Sequence, residues 1–488
     1  MRDALFHLER TEATTLQSQI RQTLVSAVLD GQLAPGSPVP STRAMARRLK
    51  VSRNTVTLAY QALVTDGFLA ARERSGFYVA EDAHTVHFEA AGAEVADDRR
   101  PVDWARRFRV QPTRQDNIQK PVDWRDYPYP FIYGQMDAEL FPIAEWRDCV
   151  RQAMGTRWLD AWTEDRFTQD DPMLIEQIRR RILPRRGISA NADEILVTLG
   201  AQNALYLLAS LFVMPTTTVA VEDPGYPDVR NIFRLRTDQL RTIPVDDAGI
   251  AVDDRLVGTE LVFTTPSHQF PTTVTMSLDR RKALLAAAHR NRAVIIEDDY
   301  ESETNFCGEP YPALKSLDRD GRVMYVGSLS KSLMPGLRLG FVVASPTVIR
   351  EARALRRLML RHPPGNNQRT AALFLAGGHY DTLIHRLHRA YRGRWRTMGQ
   401  ALNCHFPGWS RMPSFGGTSY WVQGPPSLDA DALAVAARDK GVLIEPGAIN
   451  FAGEVPPKNH FRLGFSSIPE DRIEPGIALL AELIGKAR

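Results

Sequence analysis

Apolar side chains recur at helical spacing in the first part of the chain. They lie on one helical face between Leu16 and Val28, and this pattern stops at Gly31. A second helix is predicted to begin after Ser41 and a third after Ser52, because serine is a favoured N-cap residue. The pattern therefore predicts three short helices.

Two short apolar runs follow the third helix. Residues 68–72 and 76–79 predict two strands, and the charged residues between them predict a hairpin turn. Three helices followed by a hairpin are typical of a winged helix-turn-helix. We expect this domain to occupy residues 1–80.

The pattern changes after residue 80. Residues 81–125 carry many charges, few apolar repeats and three prolines, and predict a linker. From residue 126, short apolar runs alternate with amphipathic segments of helical length. The runs that we expect to be strands are 194–198, 219–222, 261–265, 293–297, 323–327 and 341–344. This alternation predicts an α/β domain with a mostly parallel sheet over residues 126–488.

Composition restricts the class of protein. The chain has 488 residues, of which 43% are apolar and 24% charged, as in a folded protein of two or three domains. Three cysteines do not make a disulfide framework, and no apolar run approaches the roughly 20 residues of a membrane span. The first residues also lack the apolar core of a signal peptide. We therefore expect a cytoplasmic protein without a membrane partner.

The net charge of +4 comes from the first sixth of the chain. Residues 1–80 hold ten basic and six acidic side chains, whereas the other 408 residues hold 51 of each sign. Five cations lie between Arg43 and Arg53 with no acid among them. Such a cluster on a small domain predicts contact with nucleic acid, although a solvated helix surface has a similar pattern.

Polar residues follow two of the predicted strands. After 194–198 come Gly200, Ala201 and Gln202 at a helix start, whose free N–H groups suit a phosphate. After 293–297 comes Asp298, an acid that needs a positive partner when it is buried. The ring nitrogen of a cofactor and a structural arginine would each serve as that partner.

A lysine follows the strand at 323–327. Lys331 is one of only eight lysines against 53 arginines. A lysine attacks an aldehyde when burial beside other cations favours its neutral form. Arg338 can bind a phosphate through two hydrogen bonds, with Ser328 and Ser330 completing the ligand set. With Asp298 and the glycine turn, these residues supply what pyridoxal 5′-phosphate (PLP) requires.

Several motifs resemble known families. The segments that resemble fold type I PLP-dependent aminotransferases are 222–226, 297–300 and 328–340. The segments that resemble GntR-type DNA-binding domains are 40–43, 51–56 and 75–79. This order of modules is similar to that of the MocR-type (GabR-like) transcription regulators and covers nearly the whole chain. The resemblance implies a PLP-dependent homodimer that binds promoter DNA and senses an amino compound.

The resemblance implies a role for each matching residue in the second module. Lys331 would form a Schiff base with PLP, and an amino effector would displace it as an external aldimine. Asp298 would bind the pyridine nitrogen, Tyr300 the ring hydroxyl, and Tyr226 would stack on the ring. The residues implied to hold the phosphate are Gly200, Ala201, Gln202, Ser328, Ser330 and Arg338. Arg462 would bind the acid group of the effector; a surface arginine on an edge strand is the alternative.

In the first module, the expected DNA contacts lie at two helix starts and at the wing tip. They are Arg43, Ser52, Arg53, Thr55 and Arg74. Ser52 and Thr55 would serve equally well as helix caps.

The sequence departs from the family pattern at three places. Residues 169–173 replace a loop that usually contains glycine, and Thr273 stands where a glycine is customary. Asp228 stands where GabR-like proteins that bind a γ-amino acid place a second arginine. These changes favour taurine or an ectoine-derived diaminobutyrate over γ-aminobutyrate. A working aminotransferase with a DNA-binding appendage, and a vestigial pyridoxal site, stay open as alternatives.

Overall fold

The computed structural model describes residues 15–73, 75–83, 102–132, 134, 136–410, 412–413 and 415–486. By its internal contacts the chain divides into two units, Met1–Arg107 and Phe108–Arg488. Residues 108–125, which the sequence assigns to a linker, therefore make their contacts within the second unit.

The first unit contains three helices and a hairpin. Its elements are α1 (Leu16–Leu29), α2 (Thr42–Leu49), α3 (Arg53–Thr65), β1 (Leu69–Arg72) and β2 (Gly76–Val79). The two strands pair antiparallel, with Leu69 opposite Val79. These elements confirm the predicted helices and strands of a winged helix-turn-helix.

The helix ends of the first unit follow from local chemistry. The Ser41 hydroxyl accepts a hydrogen bond from the Ala44 amide at 3.2 Å, and the Ser52 hydroxyl accepts one from the Thr55 amide at 3.0 Å. Gly67 follows the end of α3 with a φ of +78°, a left-handed conformation that glycine adopts without strain. Both predicted N-caps are thus confirmed.

The second unit is built from alternating strands and helices. Its helices are α4 (Ile143–Ala153), α5 (Asp160–Thr163), α6 (Pro172–Gln177), α7 (Gly200–Phe212), α8 (Pro227–Arg234), α9 (Leu278–Asn291), α10 (Leu314–Leu317), α11 (Pro346–Leu360), α12 (Gly365–Ala376), α13 (His379–His405), α14 (Ala430–Arg438) and α15 (Ile473–Lys486). Its strands are β3 (Tyr129–Pro130), β4 (Ile195–Thr198), β5 (Val219–Asp223), β6 (Leu240–Asp246), β7 (Gly249–Ile250), β8 (Leu261–Thr264), β9 (Val294–Asp299), β10 (Val323–Ser328), β11 (Gly340–Val343), β12 (Ser419–Gln423), β13 (Val442–Leu443), β14 (Glu445–Pro446) and β15 (His460–Gly464).

An eight-stranded sheet has the strand order β4-β11-β10-β9-β8-β5-β6-β7. The central pairs from β10 to β6 are parallel, whereas β11 is antiparallel to both of its neighbours and β7 is antiparallel to β6. The six predicted strands and the mostly parallel sheet are confirmed. Because β4 and β10 are both antiparallel to β11, they run in the same direction. The carboxyl ends of β4, β5, β8, β9 and β10 therefore lie at one edge of the sheet.

The apolar runs become strands because this sheet is covered on both faces. Every residue of β4 and of β8 is buried. Buried side chains of the sheet belong to several clusters, which pack it against helices such as α7 and α9. Ligands of such sheets bind beyond the carboxyl ends of the strands.

A smaller antiparallel sheet was not predicted from the sequence. Its order is β12-β15-β14, so β15 is the middle strand. Arg462 lies on β15 and is buried, which excludes the alternative of a surface arginine on an edge strand. Among the helices of the described ranges, none has the length and apolar character needed to cross a membrane.

Candidate functional site

A cavity of about 370 Å³ lies at the carboxyl ends of the central strands. Its lining residues are Ala201, Gln202, Leu205, Tyr226, Asp228, Thr265, Phe270, Asp298, Tyr300, Ser328, Ser330, Lys331 and Arg338. Nine of these are residues that the sequence predicted for a cofactor site. The structure therefore brings together, in one place, side chains that are spread over 138 positions of the chain.

Strand alternation decides which acid of β9 faces the cavity. Glu297 and Asp299 point to one face of the sheet and Asp298 points to the other. Asp299 pairs with Arg186 at 2.7 Å, and Glu297 lies 3.9 Å from Arg281. Arg186 and Arg281 therefore pair with the neighbours of Asp298 and not with Asp298 itself.

Asp298 itself is buried with an exposed fraction of 4%. Its Oδ1 atom has no hydrogen-bond partner among the described residues. Burial raises the pKa of Asp298 to about 8, and the nearby Asp299 acts in the same direction. The cavity therefore contains a buried carboxyl that a cationic ligand would stabilise in its charged form.

Lys331 stands three residues beyond the end of β10, in the wall of the same cavity. Burial and the positive charge of Lys120 together lower the pKa of Lys331 to about 8. A lower pKa increases the fraction of neutral amine, which is the nucleophilic form.

The start of α7 also lines the cavity. Gly200 has a φ of +77°, and a Cβ built on it would lie 3.1 Å from Nη2 of Arg338. Arg338 Nη2 also donates to the Leu199 carbonyl at 3.2 Å. Free amide groups of a first helical turn beside a guanidinium make an anion-binding end.

The two predicted serines differ in what they do. Ser328 ends β10 and lines the cavity. Ser330 also lines it, but its hydroxyl donates to the Leu339 carbonyl and accepts from the Leu339 amide, both at 3.2 Å. Ser330 therefore braces the loop that carries Lys331 and Arg338.

Three aromatic rings form a further wall. Tyr226 and Phe270 have ring centroids 5.1 Å apart, and Phe270 and Tyr300 have centroids 6.2 Å apart. The Tyr226 hydroxyl lies 3.0 Å from Gln202 Oε1 and 3.0 Å from Asp228 Oδ2. Asp228 thus fixes the position of the Tyr226 ring.

Arg462 is adjacent to this wall. Its guanidinium lies over the Phe270 ring at 4.2 Å. Its Nε and Nη2 atoms donate to Glu445 Oε2 at 3.0 and 2.9 Å. Arg462 is therefore paired with a carboxylate of the chain itself.

Sequence reasoning missed two charged residues near the site, Lys120 and Glu445. Both act on the charge of Lys331. Lys120 belongs to the segment predicted as a linker, and Glu445 precedes a Pro-Gly pair. An acid in the apolar run 442–446 was the one available signal, because a charge within a buried strand needs a partner.

The departures from the family pattern have local explanations. Asp171 caps α6, accepting from the Met173 and Leu174 amides at 3.0 and 3.1 Å, and it also pairs with Arg369. Thr273 has a φ of +62°, the left-handed conformation that a glycine would adopt more easily. The backbone conformation of that turn is thus kept without the glycine.

The predicted DNA contacts lie on the first unit. Arg43, Ser52 and Arg53 are exposed at the starts of α2 and α3, and Thr55 is partly exposed. Arg53 Nε donates to the Thr42 hydroxyl at 3.4 Å, which joins the two helix starts. Arg74 lies outside the described residues. The hydroxyls of Ser52 and Thr55 are 2.7 Å apart within the cap of α3.

Comparisons with known proteins agree with this arrangement. Residues 164–480 match the family described as aminotransferase class I and II, and residues 16–79 match the bacterial regulatory proteins of the gntR family. The chain is 44% identical over 470 residues to the HTH-type transcriptional regulator TauR of Rhodobacter capsulatus, with 96% of each chain covered. It is 29% identical over 477 residues to the probable rhizopine catabolism regulatory protein MocR of Rhizobium meliloti, with 96% of this chain and 94% of that protein covered.

A solved structure is similar to the second unit. The crystal structure of Pyrococcus horikoshii kynurenine aminotransferase aligns with a TM-score of 0.70 and 29% identity, covering 79% of this chain and 98% of that one. The fold is thus a winged helix-turn-helix joined to a fold type I aminotransferase domain. The chain belongs to the MocR-type family, the gntR-family transcription regulators that carry an aminotransferase class I and II domain. The predicted family and fold class are confirmed.

The aminotransferase class I and II fold implies PLP as the cofactor. The described residues fit this group on three observations: the orphaned Oδ1 of Asp298, the cradle at Gly200 beside Arg338, and the amine of Lys331 with its lowered pKa. These features match a pyridine nitrogen, a phosphate and an aldehyde. No group of three or more His, Cys, Asp or Glu side chains within the described residues is arranged to hold a metal ion.

Proposed function

We propose that this chain is a PLP-dependent transcription regulator that binds promoter DNA through its first unit and senses an amino compound at Lys331. One observation carries the proposal. A lysine with a lowered pKa and an acid with an orphaned oxygen line one cavity, on a chain that also carries a winged helix-turn-helix.

Each residue of the cavity would have a separate role in binding PLP. Bound PLP supplies an electrophilic carbonyl carbon that accepts a primary amine. Lys331 Nζ would hold the cofactor until the amine of the effector takes its place. Asp298 would keep a proton on the ring nitrogen, because a carboxylate beside it stabilises the cation. The residues that would hold the phosphate are Gly200, Ala201, Gln202, Ser328 and Arg338, while Ser330 braces their loop.

The ring and the effector would be positioned by the remaining side chains. Tyr226 would stack on the ring, and Tyr300 would contact the ring hydroxyl. Arg462, fixed by Glu445, would lie near the acid group of the effector. The effector changes DNA binding only by the difference in its affinity for two states of the protein.

Taurine is the first effector that we propose. The similarity to TauR over almost the whole of both chains supports it. Asp228, which accepts from Tyr226, argues against γ-aminobutyrate because it replaces a cation with an anion. An ectoine-derived diaminobutyrate is the second candidate, since Asp228 is a carboxylate of the cavity lining that suits a second amine.

DNA binding is assigned to the exposed helix starts of the first unit. Arg43 and Arg53 would contact phosphates or base edges, as would Ser52 and Thr55 where their caps allow. We also propose a homodimer, which would bring two first units to one operator.

A working aminotransferase is the competing function. The 29% identity and the TM-score of 0.70 to a kynurenine aminotransferase favour it. Sustained transamination above about 1 per second, with a panel of amino donors and 2-oxo acids, would overturn the regulator proposal.

The deciding experiment follows the absorbance of the PLP-loaded full-length protein during titration with taurine. We expect a change of absorbance that saturates, and a parallel change in the affinity for promoter DNA. Lys331→Ala should abolish the absorbance response. Lys282→Ala is the matched control, because Lys282 is an exposed lysine of α9 that does not line the cavity.

Two results would contradict the proposal. If the protein stays colourless after incubation with PLP, the assignment of PLP as its cofactor is wrong. An unchanged absorbance response in Lys331→Ala would remove Lys331 from its assigned role.

A further inference from the structure

A second lysine lies beside Lys331, and the proposed chemistry gives it no role. A Cβ built on Gly134 would lie 2.7 Å from Lys331 Nζ and 3.1 Å from Lys120 Nζ, so both nitrogens approach the same point. Gly134 has a φ of +76°, and the missing side chain leaves room for this approach. The two lysines are therefore close neighbours.

The segment before Lys120 is held by specific contacts. Gln115 Nε2 donates to the Asn231 carbonyl at 3.2 Å, and Asn231 Nδ2 donates to the Asp116 carbonyl at 2.8 Å. Ile118 packs against Phe270 and Tyr300, which line the cavity. The segment that precedes Lys120 is thus held against the wall of the cavity.

Arg462 has most of its charge balanced within the chain. Glu445 lies directly opposite Arg462 in the register of β14 and β15, and both side chains are buried. The carboxylate accepts from two guanidinium nitrogens at 2.9 and 3.0 Å. Breaking a buried, hydrogen-bonded ion pair is strongly unfavourable. Arg462 therefore presents a weakened positive charge, and Lys120 is a second cation, which lies close to Lys331.

Several charges act on Lys120. Burial lowers its pKa, Glu445 and Asp228 raise it, and Arg462 lowers it. Asp228 is already held by Tyr226 at 3.0 Å and by Gln202 at 3.4 Å. An incoming anion would meet a cation that is partly removed from water, where a charge-assisted hydrogen bond is strong.

We propose that Lys120 binds the acid group of the effector and thereby restricts the effector to short amino acids. The inference rests on the proposed function, because it takes the amine of the effector to occupy the place of Lys331 Nζ. Since both lysine nitrogens lie within about 3 Å of one point, the amine and the acid of the effector must lie close together. Two carbons between them, as in taurine or β-alanine, suit this spacing better than a longer chain does.

The test uses PLP-loaded full-length protein and three amines: taurine, 3-aminopropanesulfonate and propylamine, which has no acid group. The variants are Lys120→Met, which removes the charge, Lys120→Arg, which keeps it, and Lys282→Met as the exposed control. We expect Lys120→Met to weaken the binding of taurine about ten-fold to a hundred-fold more than that of propylamine, which shares only the effect of the lost charge on Lys331. Lys120→Arg and Lys282→Met should keep the preference for taurine over both other amines.

A second measurement does not depend on the cofactor. Ethanesulfonate has the acid group but no amine. It should raise the thermal unfolding temperature of the cofactor-free wild type and of Lys282→Met. It should not raise the unfolding temperature of Lys120→Met. Equal taurine affinity in Lys120→Met and wild type would overturn the inference, and so would an equal loss of taurine and propylamine. If the wild type responds to no amine at all, both the proposed function and this inference are wrong.

Discussion

At the scale of the residue, Asp298 is the group whose charge depends most directly on what the cavity holds. Its buried carboxyl has one oxygen with no partner among the described residues, and burial raises its pKa to about 8. At neutral pH the carboxyl of the cofactor-free protein is therefore largely protonated. A protonated ring nitrogen placed against it would reverse this preference.

This assignment predicts how stability depends on pH. In the unfolded chain the carboxyl has a pKa near its usual value of about 3.9, so between about pH 5 and 8 the folded state holds one more proton than the unfolded state. The contribution of Asp298 is thus lost as pH rises. Relative to Asp298→Asn, the cofactor-free wild type should lose up to about 1.4 kcal/mol per pH unit in this window. Urea unfolding of both proteins at several pH values measures the difference.

The variant also supplies the check. The difference between the two proteins cancels the titrating groups that do not interact with Asp298. A difference that is independent of pH, or that grows in the opposite direction, would contradict the raised pKa. Bound PLP should flatten the dependence in the wild type, since a cationic partner returns the pKa of Asp298 toward its usual range.

Individual site residues differ in how far the sequence could predict them. Lys331, Asp298 and Arg338 follow strand ends within recognisable motifs, and the sheet brings strand ends together. Lys120 and Glu445 reach the same region through a segment without regular structure and through a strand of two residues. Neither has a periodic pattern, so their positions depend on tertiary contacts that the sequence does not display.

At the scale of the element, helix starts were predictable because their chemistry is local. Ser41 and Ser52 cap α2 and α3 through bonds to residues three positions later. The small sheet was not predictable in the same way. Its strands β12, β14 and β15 are short and pair across long stretches of chain, so the middle position of β15 follows from packing alone.

The cap at Ser52 gives a prediction for the third helix. Ser52→Ala removes the acceptor for the Thr55 amide and should lower the stability of the first unit by about 0.5–2 kcal/mol. Ser52→Asn should restore most of this loss, because asparagine caps helices equally well. Thermal unfolding of the three full-length proteins measures the effect.

The same variants separate the two roles left open for Ser52. If Ser52→Asn restores both stability and affinity for promoter DNA, the hydroxyl acts as a cap. If it restores stability alone, the hydroxyl contacts DNA. Unchanged stability in Ser52→Ala would show that the observed bond contributes nothing.

At the scale of the whole molecule, charge is divided unevenly along the chain. The entire excess of +4 lies in residues 1–80, and the remaining 408 residues are balanced. This division was readable from the sequence because it needs no structure, and it agrees with the gntR-family match at residues 16–79. The contact boundary at Arg107 and Phe108 was not readable, since residues 108–125 look like a linker in composition and yet make their contacts in the second unit.

The uneven charge predicts how promoter binding responds to salt. Each phosphate that a cation neutralises adds about one unit to the slope of the logarithm of affinity against the logarithm of salt concentration. Arg53→Gln in the full-length protein should therefore weaken DNA binding and reduce this slope by about one. Arg290→Gln is the matched control, because Arg290 is an exposed arginine that lies outside residues 1–80. An equal loss of slope in both variants would mean that DNA is attracted by the net charge of the chain rather than by the helix start at Arg53.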